Sequence, residues 1–241
     1  MLPGLLVAQS SLPDQVPADK GALSSSGKFE PKKVPGPPQD APDPMERLAS
    51  AGIQLDGEMV KIGLVELDRK TRSVSFPARI QMTEGVIEYA VVHAQGKVHE
   101  SLFVTDASPQ DIHMACLLAG WTDKRGKEPP GIIIKATWPS NGPPRCETLE
   151  NLVGLRNGDP QGKPSGPLAA GPWDYIGSFV DAAGFAATRE GSIIAVISDP
   201  AALAGNPRKD REDDTLHVPN TALLPRQGLP VRIILSPAPS P

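Results

Sequence analysis

Hydrophobic and polar positions alternate with period two through residues 73–80. Val74, Phe76, Ala78 and Ile80 fall in step, separated by Ser73, Ser75, Pro77 and Arg79. Successive side chains of a strand point to opposite faces, so this run is a half-buried strand. The preceding run "EMVKIGLVEL" keeps Val60, Ile62 and Leu64 in step and breaks phase at Leu64–Val65. That break predicts one strand carrying a bulge. "LDRKTR" between the two runs reads as a hairpin turn. "VIEYAVVHA" and "KVHESLFVT" predict a second hairpin around "AQGK", with Gly96 supplying a positive φ.

One helical pattern stands out, in "SPQDIHMACLLAG". Ser108, Pro109 and Asp111 occupy N-cap, N1 and N3, Gly120 is the stop, and Ile112, Ala115, Cys116 and Ala119 recur at helical spacing. The cap is expected to be worth ~1 kcal/mol. A short helix is also expected at "MERLASAG". Beyond residue 130 come further strand-like runs: "GIIIKATW", "RCETLENLVGL", "DYIGSFVDA", "GSIIAVISD", "DTLHVP" and "PVRIILS". The segment "RNGDPQGKPSGPLAAGP" is a Gly/Pro-rich loop, mobile or laid across the surface. There is no internal sequence repeat. The fold class that follows is mainly β with one principal helix (α+β), a single compact β-rich domain over 51–241.

Composition sets this domain behind a tether. The first 45 positions hold nine prolines together with "SSSGK" and "PKKVPGPPQD". Such a segment buries too little apolar surface to offset its ordering entropy, so residues 1–50 are expected to be a disordered Pro-rich tether. "MLPGLLVAQSS" resembles a secretory signal remnant, with an apolar stretch and small residues but no basic n-region. No run approaches the ~20 apolar residues of a membrane-spanning helix. A formal charge of −4 and 4% aromatic residues supply neither the field nor the stacking surface that nucleic acid needs. Cys116 and Cys146 are the only cysteines. No C-x-x-C exists to hold zinc or an iron–sulfur cluster, and a packed free thiol at Cys116 is favoured over a single bridge.

Chemistry-bearing residues concentrate in "GKVHESLFVTDASPQDIHMACLLAGW". His99–Glu100 opens an H-E-x-x-H, but Phe103 stands where the second histidine belongs. No G-x-S-x-G surrounds Ser101, and no phosphate-binding glycine loop is present. As a strand, 98–104 puts Glu100 in an apolar row with Val98, Leu102 and Val104, opposite His99, Ser101 and Phe103. An acid there needs a partner, and His93 or an arginine is expected, with Glu100 mostly buried. A register-fixing pair is favoured over a catalytic or ligating carboxylate, because structural ion pairs perturb pKa values too. His113 is read as a helix–sheet contact. The alternative is a hydrolase or metal-dependent enzyme using His99, Glu100, Ser101 and His113.

A second concentration spans 198–220. Asp199, Asn206, Asp210, Asp213 and Asp214, with Asn220, are oxygen donors of the kind calcium takes. Their spacing matches no EF-hand, and Arg208, Lys209 and Arg211 can neutralise them, which favours a salt-bridged loop. Trp138 and Trp173 could line a ligand groove, although such tryptophans more often close a core edge.

The segments "VSFPARIQMTEGVIEYAVVHAQGKVHESLFVTDASPQDIHMACLLAGW", "WDYIGSFV", "GSIIAVISDPAALAGNPR" and "DDTLHVPN" resemble the YdjY-domain family of bacterial proteins through most of residues 56–236. Gly96–Leu102 and Asp199–Asp214 carry the likeness most specifically. The resemblance implies an exported protein of periplasm, envelope or extracellular space, and no particular reaction. Ferredoxin-like character attributed to some relatives does not transfer, because no cysteine cluster exists here. Residues and resemblance together predict a non-enzymatic exported or envelope-associated module that binds a protein, glycan or small ligand, with no cofactor.

Overall fold

A computed structural model describes residues 49–50, 52–121, 130–156 and 166–239. The expected tether lies outside the described residues apart from its last two positions, as do most of the "MERLASAG" helix and residues 157–165 of the Gly/Pro-rich loop. The fold is mainly β: an eight-strand mixed barrel with a few short helices.

The chain begins with a meander, β1 (Ile53–Asp56), β2 (Met59–Ile62), β3 (Val65–Asp68) and β4 (Ser73–Ile80), each strand antiparallel to the next. The expected bulge at Leu64–Val65 is instead a hairpin between β2 and β3. Gly63, at φ 56°, takes the first central position of a two-residue turn and pairs Ile62 with Val65. The "LDRKTR" hairpin forms as expected, with the Asp68 carboxylate accepting from the Lys70 and Thr71 amides.

Next come β5 (Tyr89–His93), β6 (Ser101–Thr105), α1 (Pro109–Leu118), β7 (Gly131–Trp138), β8 (Arg145–Thr148), α2 (Leu149–Leu152), β9 (Val153–Leu155) and β10 (Trp173–Tyr175). The remainder is β11 (Val180–Asp181), β12 (Gly184–Phe185), α3 (Ala186–Glu190), β13 (Ser192–Ala195), β14 (Ala204–Gly205), β15 (His217–Pro219) and β16 (Pro230–Pro237). The barrel runs β4–β16–β7–β10–β14–β13–β5–β6 and closes where β6 returns to β4 through Arg79↔Val104 and Ile80↔Phe103. Period-two alternation fills its interior. Val74, Phe76 and Ile80 of β4, Ile132 and Ile134 of β7, and Ile233 and Leu235 of β16 are all buried in one core.

Helix α1 packs on β3, β4 and α3, with Ile112, Ala115 and Cys116 inward. Ser108 is the N-cap by backbone geometry, but its side chain makes no cap hydrogen bond, so the expected cap stabilisation is not realised there. Gly120, at φ 81°, ends the helix as expected. Cys116 is buried and Cys146 exposed, and both are free thiols.

The second expected hairpin is overturned. β5 and β6 are parallel, with Tyr89 opposite Ser101 and Val91 opposite Phe103. A parallel crossover usually needs a dozen or more residues, yet only residues 94–100 link these strands. Seven residues reach about 23 Å extended, enough to travel back along a strand of about 13 Å. Its Val98–Glu100 part is a 3-10 turn rather than strand, so the expected alternation starts only at Ser101. A second short link, 196–203, joins β13 to β14, also parallel. Both links cross one face of the sheet. There Ala94 and Val98 from the first, and Ala202 from the second, pack with Tyr89, Val92, Val104 and Ala195. β5, β6 and β13 are therefore covered on both sides, which explains why their apolar runs are nearly continuous.

Gly96 does not have the expected positive φ. Its role is close approach: a Cβ there would lie 3.1 Å from the Gly191 Cα and from the Glu190 carbonyl. Gly191, at φ 70°, is tighter still, its would-be Cβ 2.6 Å from the Gly96 Cα. Gly191→Ala is expected to destabilise by about 2–4 kcal/mol, combining overpacking with a left-handed backbone. Gly96→Ala should cost less, and urea denaturation of the two variants checks the order.

Candidate functional site

The four residues of the enzymatic alternative are not gathered. Ser101 is buried and its hydroxyl donates to the Phe103 carbonyl at 2.7 Å. His99 is exposed on the 3-10 turn before β6. His113, on α1, meets the Tyr175 hydroxyl at 2.7 Å and packs against the Phe185 ring, on the β10 side of the barrel. Glu100 is half-buried beside Glu88, whose amide donates to the Glu100 carbonyl at 2.9 Å.

The expected His93 or arginine partner is thus replaced by a second carboxylate. His93 accepts from the Gln95 amide instead. Parallel pairing puts the two acids side by side, and partial burial with the adjacent Glu100 carboxylate holds Glu88 above its ordinary pKa, against the pull of Lys97.

Most oxygen donors of 198–220 are engaged by protein groups. Asp199 accepts from the Ala201 amide at 2.8 Å, and Asp213 from the Thr215 amide and hydroxyl. Asp214 is exposed and lies near enough to act on Glu88. Asn220 donates to the Asn151 carbonyl. Asn206, almost fully buried, donates to the Asp210 carboxylate at 2.6 Å and to the Val196 carbonyl at 3.1 Å. Its side-chain oxygen accepts from the Arg208 amide and guanidinium. Asp210 also accepts from His217 Nε2 at 3.2 Å, while Nδ1 is buried with no partner among the described residues. Burial pushes the His217 pKa down despite Asp210. Among the described residues no three His, Cys, Asp or Glu side chains converge as a cation site would require.

The two tryptophans separate. Trp138 lines a groove of 360 Å³ with Pro139, Pro144, Pro230 and Arg232. Trp173 is fully buried, its ring covered at 5.2 Å by the Arg208 guanidinium. That guanidinium also donates to the Ala169 and Gly171 carbonyls, which pins the described end of the Gly/Pro-rich loop.

What the fold does assemble is a cleft of 370 Å³ lined by Asp174, Ile176, Ile197, Ser198, Asp199, Pro200, Gly205, Asn206 and Arg211. β-pairing brings these distant positions together. Asp174 lies opposite Gly205, and Gly205 opposite Ala195, so β10, β14 and the end of β13 share one wall. The link 196–203 and the 3-10 turn Lys209–Glu212 supply the rest, joined by the Ser198 amide donating to the Arg211 carbonyl at 3.0 Å. The Asn206–Asp210–His217 network lies behind as a rigid floor. Asp199 and Asn206 were weighed in the sequence as candidate cation ligands, behind a salt-bridged loop; Asp174, Ser198 and the apolar walls were not singled out. The charge-rich 198–220 run contains Ser198 and Arg211, while nothing in it points to Asp174 or Ile176.

Two pH responses follow. Glu88 holds its proton more tightly folded than unfolded, so stability is lost as pH rises from about 4.5. Glu88→Gln should therefore be more stable than wild type at pH 7, by less than about 1 kcal/mol, with the gap closing by pH 4. His217 is opposite in sign. Its depressed pKa stabilises the fold above about 6.5 and that stability is lost as pH falls below it. His217→Gln should lose less stability than wild type between pH 7 and pH 5 in urea titrations. Comparison with protein-family models, curated proteins and solved structures finds no match to this chain, so its site is defined by its own geometry.

Proposed function

We propose that the protein is a non-enzymatic, exported binding module that takes a small polar ligand in the Asp174–Asp199–Arg211 cleft. The carrying observation is that cleft. It sets acceptors (Asp174, Asp199), a hydroxyl (Ser198) and a guanidinium (Arg211) among the apolar walls of Ile176, Ile197 and Pro200. Concave, partly apolar pockets with a few fixed polar groups are where ligands of this size bind. The separation of His99, Ser101 and His113 supports binding rather than catalysis. The resemblance to the YdjY-domain family supports export. A formal charge of −4 gives no pull toward nucleic acid.

Ser198 is exposed and engages its neighbour through the backbone, so Ser198→Trp is expected to fill the cleft without unfolding the barrel. In a thermal-shift screen of polar metabolites and oligosaccharides, at least one compound should raise Tm of wild type and leave Ser198→Trp unmoved. Compounds that stabilise both proteins equally would place binding elsewhere and sink the proposal.

A further inference from the structure

We propose that β1 is a self-association edge, on which a second copy of this chain lays its own β1 antiparallel across a two-fold axis. The barrel itself has no free edge, because β6 returns to β4. The meander outside it does have one. β1 ends the sheet and, among the described residues, pairs with β2 alone. Sheet edges are commonly blunted by proline, lysine or a bulge. β1 carries none of these: it reads IQLD, and its register against β2 is regular.

The core is open on the same side. Val74, Leu67, Val60 and Leu55 stand opposite one another in a row across β4, β3, β2 and β1. The first three are at most 3% exposed, whereas Leu55 is 41% exposed. An apolar side chain beside Leu55 would complete that row.

Register follows from which backbone groups are free. The two-residue turn Gly57–Glu58 makes Asp56 and Met59 a hydrogen-bonded pair, and bonded and non-bonded pairs then alternate. Asp56 and Gln54 therefore spend their amides and carbonyls on β2. Gly52 faces the same way, its carbonyl accepting from the Gly63 amide at 3.4 Å. Ile53 and Leu55 aim their backbone groups away from the sheet. Placing Ile53 of each copy opposite Leu55 of the other uses every one of those groups and puts the two Gln54 residues together on the axis. A shift of two residues either way leaves Ile53 or Leu55 facing chain outside β1.

Side chains agree with this register. Leu55 of each copy meets Ile53 of the other on the core face, which extends the apolar row. On the outer face Asp56 falls opposite Gly52 rather than another acid, with a Gln54 amide diagonally in reach of its carboxylate. Two-fold pairing also consumes the edge of both copies, so the assembly closes as a dimer. A strand of 4 residues buries less than the ~1,200 Å² of a standard interface, which makes the dimer weak and concentration-dependent.

The test uses the full chain carrying Cys146→Ser, which removes the exposed thiol. Sedimentation velocity should move from monomer at about 10 μM toward dimer at about 1 mM, as a small interface requires. The two Gln54 residues form a non-hydrogen-bonded pair with Cα atoms about 4.5 Å apart, inside disulfide range. Gln54→Cys should therefore give a covalent dimer with oxidised glutathione as electron acceptor. Asp56→Cys should not, because the two copies of that position lie about 14 Å apart along the strands. Leu55→Pro removes an outward amide and leaves the β1–β2 bonds intact, so it should abolish the dimer with an unchanged far-UV spectrum. Gln54→Lys sets like charges opposite each other and should weaken the dimer at least tenfold without touching the backbone. A chain that stays monomeric to about 1 mM and gives no Gln54→Cys cross-link overturns the proposal. So does a dimer that survives both Leu55→Pro and Gln54→Lys, or one that cross-links as fast through Asp56→Cys.

Discussion

A side chain on Gly191 would place its Cβ 2.6 Å from the Gly96 Cα, so two backbones meet there with no room between them. The meeting is forced by barrel closure. β6 must reach β4 on one side while β5 pairs with β13 on the other, and only a parallel β5–β6 pair satisfies both. The short link that makes them parallel has to turn against the segment entering β13. Glycine at both positions lets it do so, and the His93 amide then donates to the Gly191 carbonyl at 2.8 Å.

Two consequences spread from that turn. The first link, laid back across the sheet, meets the second link between β13 and β14, and Val98 and Ala202 seal the face over Tyr89. Lys97 and Asp199 then approach the Tyr89 hydroxyl from the two links. The second consequence is electrostatic. With Glu88 and Glu100 brought side by side in the parallel register, the fold carries a like-charge neighbour that an antiparallel hairpin would have separated. Partial exposure keeps that repulsion small.

The cleft inherits its character from the same architecture. Asp174 is carried on β10, while Ser198 and Asp199 sit on the 196–203 link and Arg211 on the 3-10 turn, each tied down by backbone hydrogen bonds. A preorganised set of this kind loses little ordering entropy on binding. His217 is the point of tension. It is fully buried, gives one nitrogen to Asp210 and leaves the other without a partner among the described residues.

Local signals determined much of this protein. Alternation identified β4, strand-like apolar runs marked β7 and β16, and Pro109 with Gly120 bounded α1. The same signal was silent on pairing direction, since parallel and antiparallel strands carry the same period. The hairpin expected around Gly96 was therefore wrong in direction, and its strands form only over Tyr89–His93 and Ser101–Thr105. Gly63 similarly marked a turn where phase alone suggested a bulge. Near the site, the charge density of 206–214 was legible but its pairing was not: Asn206 bonds both Asp210 and Arg208, and Arg211 pairs with Glu212 rather than with an aspartate. The partners that matter most were not legible. Asp174 stands far from Ser198 and Arg211 along the chain, and Glu88 stands twelve residues from Glu100. Strand register alone brings each set together, and register is decided only when the whole sheet closes.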